Sequence, residues 1–274
     1  MPQIDLGRIG AVVSPDEGNA FVATAAELDE MGYQTIWLSG GQLDNLGQIS
    51  EVVRATRRAR VSTSIISVDR FPSDELAALY TGLEAAAPGR FVAGLGGAHG
   101  PKPLQTLNAY LDRLDQLGQV PPTARVLAAL GPKMFDLAKR RAAGALPVLI
   151  TPEHTAVLRT RLGPGTTLAI HQLVVVEPDA GRARATARGP LGFLGQLPAY
   201  QANFRRMGFT DDEITGLADR LVDALIPWGD AEAVAAAVQA HLQAGADHVA
   251  IAVTSSGPPQ EPIAAWRQLA AHLL

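Results

Sequence analysis

Over residues 61–68 (VSTSIISV) apolar and β-branched residues fall on both parities, the pattern of a strand buried on both faces. Arg70-Phe71-Pro72 breaks that run, and Ser73-Asp74-Glu75 offers a helix start with acids in its first turn. Leu76, Leu79, Tyr80 and Leu83 then recur at helical spacing until Pro88-Gly89 stops the helix. A second buried run, 91–95, passes into a loop holding Gly94, Gly96, Gly97 and Gly100. Strand, crossover helix and strand make a βαβ unit, whose ligand side lies at the carboxyl ends of the strands.

The alternation continues along the chain. Further strands are predicted over 8–14, 35–39, 125–130, 148–150, 168–176 and 248–253. Between them, Phe21, Ala25 and Leu28 mark one amphipathic helix, and Leu46, Ile49, Val52 and Val53 mark another over 43–59. A shorter helix is predicted over 109–117, and one carrying Met134, Leu137 and Ala138 follows Pro132. Thr151-Pro152-Glu153 pairs a hydroxyl N-cap with proline at the first helical position. Residues 180–209 read as mostly helical with a break at Leu197-Pro198; Asp211-Asp212-Glu213 opens another helix, and Asp230 caps the last long one. Gly32, Gly144 and Gly245 each stand where a helix gives way to an apolar strand, so each is predicted to make a left-handed turn. About eight strands with helices between them favour a closed α/β architecture, a single (β/α)8 TIM barrel of roughly 250 residues, over an open sheet. No stretch reads as a linker, so 1–274 is taken as one domain.

Composition narrows the chemistry. A hydrophobic fraction of 47% with 27 glycines and 19 prolines suits a large core with many short connections. The net charge of -4 and the dispersed Lys and Arg residues argue against a nucleic-acid surface. Arg54, Arg57, Arg58 and Arg60 read as a solvated helix end. With no cysteine there is no disulfide, thiol nucleophile or thiolate metal site. Histidines and carboxylates nowhere take metal-ligand spacing, so no metal is expected. No run of about 18 apolar residues suggests a membrane span, and a cytoplasmic location is the expectation.

Four stretches could touch a ligand. At Gly131-Pro132-Lys133 a strand end runs into a helix start, where free N–H groups and Lys133 could hold an anion; an ordinary barrel turn explains the same residues. His99, in the glycine loop after residue 95, is either a proton-exchanging group or a surface histidine. His171 reads more readily as a hydrogen-bonded core residue than as one facing a site. Arg70 could clamp an anion or pair with Asp69 or Asp74.

Several tracts together resemble the luciferase-like monooxygenase superfamily of flavin and deazaflavin (F420) enzymes. They are Thr63-Ser64-Ile65, Arg70-Phe71-Pro72, Gly89-Arg90-Phe91, Gly94-Leu95-Gly96 and Ala128-Ala129-Leu130-Gly131-Pro132-Lys133-Met134. Leu197-Pro198-Ala199-Tyr200 with Asn203, Arg206, Gly208 and Phe209 is similar to a helix of an actinobacterial subgroup of F420-dependent oxidoreductases; Trp228-Gly229-Asp230, the stretch 244–249 and Trp266-Arg267 extend the likeness. The resemblance implies a luciferase-like barrel of the bacterial luciferase and F420-dependent oxidoreductase type. It implies cofactor phosphate near Ala129, Leu130, Gly131, Pro132 and Lys133, and a non-prolyl cis peptide at Ser64-Ile65 behind the cofactor ring. The loop Ser39-Gly40-Gly41-Gln42 departs from the pattern, because many relatives carry Asp or Glu there.

The function so implied is hydride transfer between coenzyme F420 and a small organic substrate. Gly40, Gly41, Ser64, Ile65 and residues 129–133 would bind the cofactor, while Ser39 and His99 line the catalytic side. FMN is the alternative cofactor, giving a luciferase-like monooxygenase. A non-catalytic flavin-binding or interaction barrel with a degenerate site is the other alternative, favoured by the acid-poor 39–42 loop. The resemblance also allows a homodimer.

Overall fold

The computed structural model describes residues 4–16, 18–98, 100–255 and 263–274. Its strands are β1 (Ile9–Val13), β2 (Thr35–Ser39), β3 (Arg60–Ser64), β4 (Ile66–Ser67), β5 (Phe91–Gly96), β6 (Arg125–Ala128), β7 (Gly144–Leu146), β8 (Thr167–Val176), β9 (Trp228–Gly229) and β10 (His248–Val253). Helices α1 (Ala20–Met31), α2 (Gly47–Ala55), α3 (Ser73–Ala86), α4 (Pro103–Leu117), α5 (Pro132–Arg141) and α6 (Pro152–Leu162) alternate with the first seven barrel positions. After β8 come α7 (Ala180–Leu194), α8 (Pro198–Arg206), α9 (Asp211–Thr215) and α10 (Asp219–Leu225), then α11 (Ala231–Gln243) and, after β10, α12 (Ile263–Leu273).

Every strand pairing is parallel, and β10 bonds to both β1 and β8, which closes the sheet. The predicted strand over 61–68 is two pieces: β3 pairs with β2 and β5, the Ser64–Ile65 peptide is cis, and β4 resumes against Leu95 and Gly96 of β5. Counting β3 and β4 as one stave, the barrel has eight, with β9 lying outside on the overhang of β8 at Val175 and Val176. This is the (β/α)8 barrel expected.

Two shells of side chains follow from the strand period of two. Val12, Trp37, Val92, Val126, Leu146, Ala169 and Ala250 fill the barrel interior. Their neighbours of opposite parity, such as Leu38, Val61, Ala93, Leu127, Ile170 and Ile251, pack outward beneath the helices. A separate apolar cluster, including Ala187, Leu191, Phe204, Ile214, Leu221 and Leu225, holds α7 to α10 together over Leu173 and Val175 of β8.

The predicted strand over 148–150 is corrected. The stave is β7, four residues earlier; Pro147 follows it, Leu149 adopts a left-handed φ of 52°, and Val148 keeps only an isolated bridge to His171. Gly144 therefore lies within a strand, whereas Gly32 and Gly245 do make the left-handed turns predicted for them, at φ 104° and 102°. The helix predicted over 109–117 starts earlier, at Pro103, and the one predicted over 43–59 is the shorter α2, preceded by a 3-10 turn at Gly40–Gln42.

The basic cluster is more than a solvated helix end. The Asp29 carboxylate accepts from the backbone N–H of Arg57 at 2.6 Å and Ala59 at 2.7 Å, and Arg58 Nη2 donates to Asp29 O. Arg90 donates to Ala59 O at 2.7 Å and to Thr56 Oγ1 at 2.8 Å. These bonds fix the turn that launches β3.

Candidate active site

The carboxyl ends of the strands surround a cavity of about 460 Å³, within the range of about 300–1,000 Å³ usual for small-ligand sites. Its floor is built by residues that point inward just before the strands end: Val12, Ala128, Leu146, His171, Leu173 and Ala252. Ser39, Gly41, Gln42, Ser64 and Ile65 form one wall. The opposite wall comes from the segment after β8, through Pro190, Phe193 and Leu194 of α7 and Tyr200 of α8. Among the described residues of the lining there is no Asp, Glu, Lys or Arg.

The Ser64–Ile65 wall is positioned by a close backbone approach. A Cβ on Gly40 would stand 1.6 Å from the Ile65 carbonyl oxygen, so only glycine admits that carbonyl. Gly94 plays the same part on the other side of β3, where a Cβ would meet Thr63 O at 1.8 Å. Ser64 Oγ is buried and has no hydrogen-bond partner among the described residues. A buried hydroxyl without a partner costs roughly 1–3 kcal/mol, which a polar edge of a bound molecule would recover.

Ser39 Oγ donates to Gln42 Oε1 at 2.5 Å, so the loop that lacks an acid closes on itself through a neutral pair. His171 stands in β8 between Ala169 and Leu173, on the inward parity, and is half-buried in the floor. Burial pushes its imidazole down to about 4, so at neutral pH it is uncharged. Tyr200, edge-on to Phe204 at 6.4 Å, has its phenol pushed up by burial and keeps its proton across the physiological range. These two are the titratable groups of the described lining.

The predicted site residues divide. Ser39, Gly41, Ser64 and Ile65 meet in the cavity; Gly40 lies buried beneath it against Ile65. Ala129 is in the core and residues 130–133 form the turn into α5, beyond the cavity rim at Ala128. His99 lies outside the described residues. His171, read as a core residue, faces the cavity instead. Asp74 pairs with Arg113 at 2.6 Å, and Arg70 lies over the Phe71 ring, 5.2 Å from its centroid. His241 and His248 make structural bonds: His241 Nδ1 shares a 2.8 Å bond with Thr155 Oγ1, and His248 Nδ1 one of 2.9 Å with Gly7 O. No group of metal-binding side chains occurs among the described residues.

Solved structures share this architecture over nearly the whole chain. The coenzyme F420-dependent tetrahydromethanopterin reductase of Methanopyrus kandleri superposes with a TM-score of 0.76 at 16% identity, over 97% of this chain and 98% of that one. The fold is the (β/α)8 barrel of these enzymes. A second example, an F420-dependent secondary alcohol dehydrogenase bound to an F420–acetone adduct, gives 0.74 at 13% identity, covering 100% of this chain and 98% of that one. The FMN-bound oxygenating constituent of 3,6-diketocamphane monooxygenase from the CAM plasmid of Pseudomonas putida gives 0.64 at 13%, over 97% and 96%. No family model and no curated protein matches the chain by sequence. At these identities the likeness carries the fold alone.

Proposed function

We propose that this luciferase-like barrel is an oxidoreductase that moves hydride between coenzyme F420 and a small organic substrate. The observation that carries the reading is the cavity at the strand ends, walled by Ser64-Ile65 and uncharged along its described lining. The Ser64 hydroxyl at its edge, partnerless among the described residues, suits the polar rim of a flat ring. F420 is preferred to FMN because the two F420-dependent proteins superpose at 0.76 and 0.74 and the FMN-bound one at 0.64.

When bound, the deazaflavin supplies the two-electron chemistry. The chain's own residues hold and enclose it. Ser64 and Ile65 back the ring, Gly40 lets their peptide close in, and Gly41 with Ser39 and Gln42 borders it. The turn through 129–133 receives phosphate at the start of α5. Ser39 is engaged with Gln42, so the proton at the substrate oxygen falls to His171 and Tyr200. Neutral His171 can accept it as a hydroxyl is oxidised, and Tyr200 can donate to a carbonyl. Apolar Phe193, Leu194 and Pro190 keep water from the reacting face.

The test is parallel titration of purified protein with F420 and with FMN, followed by the cofactors' own absorbance and fluorescence. Tighter F420 binding, at micromolar concentration or below, supports the proposal. Preference for FMN would move it to a flavin monooxygenase. Binding of neither by folded protein would leave a barrel with a degenerate site.

A further inference from the structure

We infer that Arg206 and Asn203, both on α8, complete a phosphate clamp whose other jaw is the Gly131–Lys133 turn. The inference rests on the cofactor reading above and adds residues that the turn alone does not supply. At the start of α5, Gly131 is extended, Pro132 has no N–H, and Met134 and Phe135 both donate to Gly131 O at 3.0 and 3.2 Å. The N–H groups of Gly131 and Lys133 take no backbone acceptor among the described residues. They stand where a ten-residue helix presents its positive end.

Arg206 faces that end. Its Nη2 lies 3.7 Å from the point where a side chain on Gly131 would begin. Its neighbour Arg205 is paired with Asp211 at 2.6 Å, but among the described residues Arg206 pairs with no carboxylate. Its Nη1 makes one long bond, 3.4 Å, to Asn203 Oδ1. Asn203 is 1% exposed, and its Nδ2 has no hydrogen-bond partner among the described residues. A buried amide donor left unused beside an uncompensated guanidinium is the arrangement an oxyanion satisfies. The charge of Arg206 also reaches His154, in the first turn of α6, adding to burial in lowering its pKa. Glu153 beside it is bonded to Thr151.

The spacing along α8 supports the same ligand. Tyr200 lines the cavity, and Arg206 follows six residues later, roughly 9 Å up the helix axis. One helix thus touches both a ring lodged in the cavity and a phosphate carried on a short tail.

The experiment separates phosphate from ring. Riboflavin against FMN, and F420 against its phosphate-free deazaflavin, are titrated into wild type, Arg206→Gln, Arg206→Lys and the neighbouring control Arg205→Gln. Arg206→Gln should weaken the phosphorylated ligands about 10- to 100-fold, with Arg206→Lys intermediate and Arg205→Gln unchanged. Phosphate-free ligands should bind all four proteins alike. Equal loss for both ligand classes, or no loss for either, would overturn the clamp. If wild type binds no cofactor, inorganic phosphate decides: a higher melting temperature in wild type but not in Arg206→Gln keeps the clamp while the F420 reading falls. No phosphate effect would overturn the clamp as well.

Discussion

Trp37 donates its indole N–H to His248 Nε2 at 2.9 Å inside the barrel, and His248 Nδ1 in turn donates to Gly7 O at 2.9 Å. The two bonds fix one tautomer: Nδ1 carries the proton and Nε2 is the acceptor. Both side chains are fully buried. Trp37→Phe would leave His248 Nε2 buried without a donor and open a void beside it. A loss of about 2–4 kcal/mol is expected in urea unfolding, with the slope of the transition unchanged.

His171, His241 and His248 are each held down to about 4 by burial, against an ordinary value of 6.5. Below pH 6.5 the unfolded chain therefore binds protons that the folded one refuses. Stability should be at its full level above pH 6.5 and fall as pH drops toward 4, each histidine adding about 1.4 kcal/mol per pH unit inside that window. Urea midpoints measured from pH 7.5 to 4.5 would reveal the decline. His248→Gln should flatten part of it.

Gly40 and Gly41 are adjacent but should respond oppositely to alanine. The Cβ added at 40 would collide with Ile65 O, while the one added at 41 meets nothing within 4 Å among the described residues. Gly40→Ala is expected to cost about 3 kcal/mol or more and to reduce cofactor binding through the displaced wall. Gly41→Ala should stay within about 0.5 kcal/mol of wild type. Thermal unfolding of the pair is the check.

If His171 exchanges the substrate proton, His171→Gln should keep cofactor affinity within about threefold. It should slow the single-turnover hydride step by roughly 10²-fold. Loss of binding with an unaltered rate in the saturated complex would count against the proton role and assign His171 to packing.

The strand and helix count was legible because β/α alternation repeats locally, and the inner and outer shells follow from a period of two. Gly144 shows where local reading fails. Its sequence neighbourhood matches those of Gly32 and Gly245, yet Thr167 O lies 3.0 Å from where its Cβ would be, so close strand packing rather than a turn explains it. His171 was ambiguous for a related reason. β8 is apolar on both parities, so its pattern does not say which face is inside. The cavity's far wall was the least visible part: Phe193 and Tyr200 reach the strand ends only through long-range packing of α7 and α8. The Tyr200-Asn203-Arg206 spacing was present as a family likeness without a place in space.

That far wall has its own architecture. The excursion through α7–α10 leaves from the end of β8 and returns through β9, which pairs with Val175 and Val176 of the same strand. It also carries its own apolar cluster. An insert that departs from and comes home to one stave can be exchanged between barrels like a cassette, leaving the other seven staves in register. Variation confined to residues 180–225 would then retarget the chain to new substrates while the floor of the cavity stays as it is.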